Sequence, residues 1–222
     1  MSFTAQCLAA PVLLFALAAN AAPAQPEIVQ TSHVTARPAD DGVVTVRFET
    51  DETYGVAVLD ARLSQGTIEA QVRSTMEPDA RPDMRGFIGL AFHVSDDAEN
   101  YEVIYIRPRN ARVEQQIFRN RSVQYAAHPD HPWKRLREES PGVYETYVDL
   151  ELGAWTDLRI EVGEDDARFY VGDAEQPTLI VSDLILRARD GRVGLWIGEG
   201  TIGEFRNIRV TPTGAGQSSS SS

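Results

Sequence analysis

The feature that most restricts this chain is a period-two alternation of apolar and polar residues, recurring from Val43 to Val210. Successive side chains of a β-strand point to opposite faces, so such alternation marks strands with one buried face. Val44, Val46 and Phe48 alternate with Thr45, Arg47 and Glu49, and Ile68, Ala70 and Val72 with Glu69, Gln71 and Arg73. Ile88, Leu90, Phe92 and Val94 alternate with Gly89, Ala91 and His93, and Leu158, Ile160 and Val162 with Arg159 and Glu161. Shorter runs follow at Phe169 and Val171, at Leu179 and Val181, from Val193 to Ile197, and at Ile208 and Val210. Turn-forming clusters such as Asp40-Asp41-Gly42, Ser64-Gln65-Gly66 and Glu164-Asp165-Asp166 separate them. No segment keeps a helical period long enough for a principal element, and the absence of a fixed repeat argues against a propeller or β-helix. The sequence predicts an all-β fold, a two-sheet antiparallel jelly-roll sandwich.

The N-terminus reads differently. Residues 1–21 carry no acidic or basic side chain, Leu8 to Ala19 is apolar, and Ala19-Asn20-Ala21 is a small-x-small cleavage signal. The α-amino group supplies the only early positive charge, where a typical leader carries Lys or Arg. The expected organisation is a signal peptide over 1–21, a loose segment over 22–27, one sandwich domain over 28–212 and a disordered Gly/Ser-rich tail over 213–222. Export to the periplasm or the medium follows. The apolar run is too short for a bilayer span of about 20 residues, and no later segment qualifies, so no membrane insertion is expected. Cys7 is the only cysteine, so the mature chain has no disulfide and must draw stability from core size. The net charge of −12 falls wholly on the mature chain and argues against nucleic acid or anionic membrane as partner.

Several motifs carry less than their letters suggest. Gly198-Glu199-Gly200-Thr201-Ile202-Gly203 matches a dinucleotide fingerprint, but a strand-like run follows it where a helix N-terminus must receive the pyrophosphate. Asp96, Asp97, Glu99 and Asn100 could offer oxygens to calcium, although a solvated turn is the simpler reading. No other cofactor is implied. The loop His128-Pro129-Asp130-His131-Pro132-Trp133 holds two imidazoles and a carboxylate, yet its prolines keep the segment extended and splay metal ligands. Trp133 offers an aromatic face for a sugar ring, or else covers an end of the sandwich.

The strand Tyr101 to Pro108 is the most informative. Ile104 and Ile106 face one way, so Tyr101, Tyr105 and Arg107 line the other. Gly89, Ala91 and His93 give the preceding strand a small outer face with room for a ligand, and Gln124, alternating with Val123 and Tyr125, falls on that same face. Guanidinium, amide, phenol and imidazole together make a hydroxyl-reading set. The candidate ligand-binding residues are therefore Tyr101, Tyr105, Arg107, Gln124 and Trp133, and the ligand a glycan or small saccharide.

At these residues the chain resembles the 3-keto-disaccharide hydrolase domain family, related to laminarinase-type glucanases of the concanavalin A-like lectin/glucanase fold. The likeness rests on Gly86-Phe87-Ile88-Gly89-Leu90-Ala91-Phe92, Asn100-Tyr101-Glu102 with Tyr105-Ile106-Arg107-Pro108, Gln124-Tyr125, Gly191 to Trp196 and Phe205-Arg206-Asn207. It spans about Phe48 to Val210 and implies a jelly roll whose concave sheet meets sugar. The E-x-D-x-x-E strand motif of laminarinase-type enzymes is absent; Glu145, Asp149 and Glu151 lie at other intervals. Three readings stand: a carbohydrate-binding or carbohydrate-processing domain; a 3-keto-glycoside hydrolase with a general base among His93, His128, His131 and Glu102; and a non-catalytic module of the cell envelope.

Overall fold

The computed structural model describes residues 25–50, 52–187 and 189–213. The predicted leader, the start of the loose segment and all but Thr213 of the predicted tail lie outside the described residues. In chain order the strands begin β1 (Ile28–Ser32), β2 (Val34–Pro38), β3 (Val44–Phe48), β4 (Tyr54–Leu63), β5 (Gly66–Met76), β6 (Ile88–Val94) and β7 (Tyr101–Ile106). Two one-turn helices, α1 (Pro108–Ala111) and α2 (Gln116–Arg119), lead to β8 (Val123–His128), α3 (Trp133–Glu139) and β9 (Glu145–Thr146). The chain ends with β10 (Thr156–Val162), β11 (Ala167–Val171), β12 (Leu179–Val181), β13 (Gly191–Gly198) and β14 (Thr201–Pro212).

Two seven-stranded sheets result, in the orders β1-β4-β13-β6-β7-β8-β9 and β12-β11-β10-β5-β14-β3-β2. Neighbouring strands are antiparallel throughout, as between Ile104 and Tyr125 of β7 and β8 or Ile160 and Ile68 of β10 and β5. The alternating apolar residues meet between the sheets: Val46, Ile68, Ile160, Phe169 and Phe205 from one, Leu59, Leu90, Ile104, Tyr125 and Leu195 from the other. The all-β antiparallel sandwich expected from the alternation is the observed architecture.

The first sheet is apolar on its outer face as well. Val56, Val58, Ala91, Tyr101, Val103, Tyr105, Ala126 and Trp196 form a second buried layer there. β4 therefore shows no alternation, since Val56 and Val58 serve the outer layer while Ala57 and Leu59 serve the core. Strands covered on both faces read as continuous apolar runs. Small residues make space for the large rings. A Cβ on Gly89 would lie 2.5 Å from Tyr105 Cβ, and one on Gly198 2.7 Å from Phe87 Cβ. Ahead of β1, Gln25 donates from Nε2 to Gly42 O at 2.6 Å and accepts at Oε1 from Ile208 N at 3.0 Å.

One departure from alternation corrects one candidate residue, and the regular alternation of β7 buries a second. His93 does not share the outer face with Gly89 and Ala91. It adopts φ 53°, and the register of β13 against β6 shifts between Arg192 and Gly194, so a bulge re-aims the imidazole inward. Its Nδ1 meets Glu102 Oε2 at 2.6 Å and its Nε2 meets Ser64 O at 3.0 Å. Glu102 lies on the interior side of β7 with Ile104, and its Oε1 accepts from Tyr125 Oη at 2.5 Å. Both side chains are fully buried, which removes them from any substrate.

Candidate functional site

A cavity of about 410 Å³ opens on the outer face of the first sheet. β7 delivers Tyr105 to it by alternation, and Arg107 follows at the strand's end, where Pro108 starts α1 in the position proline favours. The backbone stays tied to the sheet edge, since Arg107 N donates to Ser122 O at 2.8 Å. After β8 and its loop, Pro132 caps α3 in extended conformation and Trp133 begins that helix over the cavity. Other walls come from Phe87 and the 81–85 segment before β6, Tyr54 at the start of β4, Phe118 of α2, Arg137 of α3, and the linker that carries Glu199.

Arg107 sits among three rings. Its guanidinium carbon is 5.0 Å from the Tyr105 centroid, 5.7 Å from Trp133 and 5.8 Å from Phe87, each within cation–π range. Only 4% of the residue is exposed. Nη2 donates to Tyr105 Oη at 2.7 Å, and Nη1 to Arg121 O at 3.0 Å and more weakly to Gln124 Oε1 at 3.5 Å. Among the described residues every acceptor of this arginine is neutral, and no carboxylate pairs with it. Burial holds the guanidinium below its ordinary pKa; Tyr105 and Glu145 oppose this, and Arg137 adds to it. Burial likewise pushes the Tyr105 phenol up to about 12, so its hydroxyl is a neutral donor and acceptor at physiological pH.

The aromatic layer beneath is continuous. Tyr105 lies 4.6 Å from Trp196, and Trp196 stacks at 5.6 Å on Tyr54. Trp133 Nε1 donates to Tyr54 Oη at 3.1 Å, so the helix that covers the cavity is fastened to the opposite wall. At the rim Arg81 pairs with both Asp83 and Glu199. Behind the far wall Arg137 and Arg121 share Glu145, at 2.6 and 3.5 Å.

No protein-family model matches this chain, and no curated protein is significantly similar to it. Solved structures are similar in fold. The carbohydrate-binding module CBM66 from Bacillus subtilis superposes with a TM-score of 0.59 at 15% identity, covering 84% of this chain and 98% of its own. Lectin II from Ulex europaeus gives 0.51 at 10% identity, over 84% and 94%. A protein of unknown function with a galectin-like fold from Bacillus subtilis gives 0.52 at 10%, over 82% and 87%. The fold is a lectin-type jelly roll. Identities this low establish architecture alone.

Within this lectin-type sandwich the cavity brings together Tyr105, Arg107 and Trp133 from the sequence-based candidates, and leaves the others elsewhere. Gln124 faces outward opposite Tyr105 but does not line the cavity. Its Nε2 donates to Tyr125 O and Tyr144 O, at 2.8 and 3.1 Å, while its Oε1 receives Arg107 and Arg137. An amide engaged on every side holds arginines and has nothing left for a ligand. Tyr101 stacks on His128 at 4.9 Å, and both line a separate cleft of about 210 Å³. Burial lowers the His128 pKa to about 4. His131 pairs with Ala127 by backbone bonds, N to O at 2.8 Å and O to N at 3.0 Å, and borders neither space. Asp96 accepts from Arg62 at 2.9 Å and Arg192 at 2.8 Å, and Asp97 accepts from Ser95 Oγ, so these carboxylates serve local bonds. Among the described residues no three His, Cys, Asp or Glu side chains group as metal ligands.

Sequence reasoning passed over Phe87, Tyr54, Arg85 and Arg137. Phe87 carried a signal, because it continues the outward set of Gly89 and Ala91 by one step of two. Arg137 lies four residues beyond Trp133 with its guanidinium 4.5 Å over that ring, a spacing that becomes informative only once α3 is known to be a helix.

Proposed function

We propose that this chain is an exported saccharide-binding domain and that the sugar occupies the Arg107 cavity. One observation carries the reading: a buried guanidinium held among Tyr105, Trp133 and Phe87 in a depression of about 410 Å³. That volume lies in the range of about 300–1,000 Å³ usual for small-molecule sites. Aromatic walls suit the C–H faces of a pyranose or furanose. A guanidinium has five N–H groups, and the bonds made within the protein leave donors for ring hydroxyls. Two structures that share the fold are a carbohydrate-binding module and a lectin, which supports the same class of ligand.

Binding has better support than 3-keto-glycoside hydrolysis. Elimination next to a ketone needs a base within hydrogen-bond reach of the ring. None of His93, His128, His131 and Glu102 lines the cavity, and the two carboxylates that do among the described residues, Asp83 and Glu199, are both paired with Arg81. Calorimetric titration against a panel of neutral and acidic oligosaccharides tests the proposal. A saccharide bound by the wild type should lose about 2 kcal/mol, roughly thirtyfold in affinity, in Trp133→Ala. Unchanged affinity in that variant would remove the cavity from the account.

A further inference from the structure

We infer that the saccharide is an acidic one, carrying a carboxylate, sulfate or phosphate group that supplies the counter-charge Arg107 lacks. The inference rests on the saccharide reading and narrows its ligand. Among the described residues five arginines line the cavity against two carboxylates, in a chain whose net charge is −12. The two carboxylates, Asp83 and Glu199, are taken up at the rim by Arg81. Arg121 and Arg137 divide one further carboxylate, Glu145, between them. Arg107 and Arg85 remain, and among the described residues neither has an ion-pair partner. Arg85 is half-buried, with its guanidinium 5.5 Å over the ring of Phe118 on the cavity wall.

An acceptor-rich ligand fits these walls better than a neutral one. A hydroxyl both donates and accepts, so a site for neutral sugars must offer acceptors as well as donors, whereas guanidinium groups only donate. An anionic group only accepts, and bonds in which both partners are charged are about twice as strong as neutral ones. A buried charge with no partner is costly to maintain, and Arg107 is kept in that state by Tyr105, Gln124 and the Arg121 carbonyl. The aromatic walls and the volume exceed the needs of a bare inorganic anion and leave room for the ring that bears it.

The experiment is calorimetric titration of the full chain with matched pairs. Trigalacturonate is compared with its methyl ester, a sulfated disaccharide with its desulfated form, and glucose 6-phosphate with glucose; inorganic sulfate and phosphate serve as separate arms. The acidic member of at least one pair should bind tenfold or more tighter than its neutral partner, with the margin shrinking as salt rises. Arg107→Gln should abolish the margin. Should that variant not fold by circular dichroism, Arg85→Gln, at a half-buried wall position, should reduce it severalfold. Equal binding of both members of every pair overturns the acidic preference and leaves the saccharide reading standing. Failure to bind any saccharide, charged or neutral, overturns both. Inorganic sulfate or phosphate binding as tightly as the acidic sugars overturns the inference too, since the ring then contributes nothing.

Discussion

Glu102 is the most heavily engaged carboxylate in the core. It meets His93 through one oxygen, and through the other accepts from Tyr125 Oη at 2.5 Å and Leu186 N at 3.3 Å. Tyr125 Oη in turn accepts from Ile185 N at 3.1 Å, so this one side chain ties the 184–187 segment to β7 and β8. Glu102→Ala strands a buried imidazole and a phenol, and should cost about 3–5 kcal/mol in a denaturant titration. Saccharide affinity of the folded protein should not change. His128 tests burial of another kind. Its pKa falls from 6.5 to about 4 because the ring is buried against Tyr101 and Tyr54. The unfolded chain therefore binds the extra proton first as pH drops. The contribution is complete above about pH 6.5, is lost progressively towards pH 4, and is on the order of 3 kcal/mol. Unfolding measured at pH 7, 5.5 and 4 should fall more steeply for the wild type than for His128→Phe; parallel profiles would count against it. Tyr105 and Arg107 were legible at this scale because alternation sets a side chain's face wherever a strand is regular. His93 was not, because a single residue at φ 53° reverses the face that alternation assigns.

Elements decide how the site is held. β6 and β7 run with Gly89 opposite Tyr105, and a Cβ at 89 would come within 2.6 Å of the Tyr105 backbone. Gly89→Ala must push the strands apart or displace the ring that grips Arg107. Stability should drop by about 1–3 kcal/mol, and saccharide affinity should fall with it; a thermal melt and a titration on the same preparation separate the two effects. A variant with wild-type melting and wild-type affinity would show that the close packing is dispensable. The alternation revealed β5 and β10 because each keeps polar residues on one face, and β6 because small Gly89 and Ala91 alternate with large Ile88, Leu90 and Phe92 along a strand buried throughout. It passed over β4, whose Gly55 to Leu59 run is buried on both sides, and over β1 and β2, which carry few apolar residues. α3 was hidden for a different reason. The two prolines just before it, Pro129 and Pro132, argued for extended chain, and Pro132 is indeed extended, at φ −67° and ψ 161°, but it caps the helix that follows.

At the scale of the whole molecule, both sheets are closed by the last strands of the chain. β13 lies between β4 and β6, and β14 between β5 and β3. β14 pairs with β5 from Thr201 opposite Met76 to Pro212 opposite Gly66, across more than half the sequence. Period-two patterning announces strands but carries no information on such distant partners, so the two-layer architecture was legible and the strand order was not. The order has a consequence for folding. Without β13 the first sheet falls into β1-β4 and β6-β7-β8-β9; without β14 the second falls into β12-β11-β10-β5 and β3-β2. Neither pair of fragments can bury the shared core, and contacts between distant segments must form before they stabilise anything. A chain ending at Asp190 should therefore lack a cooperative melt and lose its near-ultraviolet circular dichroism, which reports the packing of Tyr105, Tyr125 and the tryptophans. The full chain should refold on the slow, millisecond-to-second scale of non-local β topologies. A truncated protein that still unfolded cooperatively would mean that one sheet fragment forms an independent unit, contrary to a core built from both sheets at once.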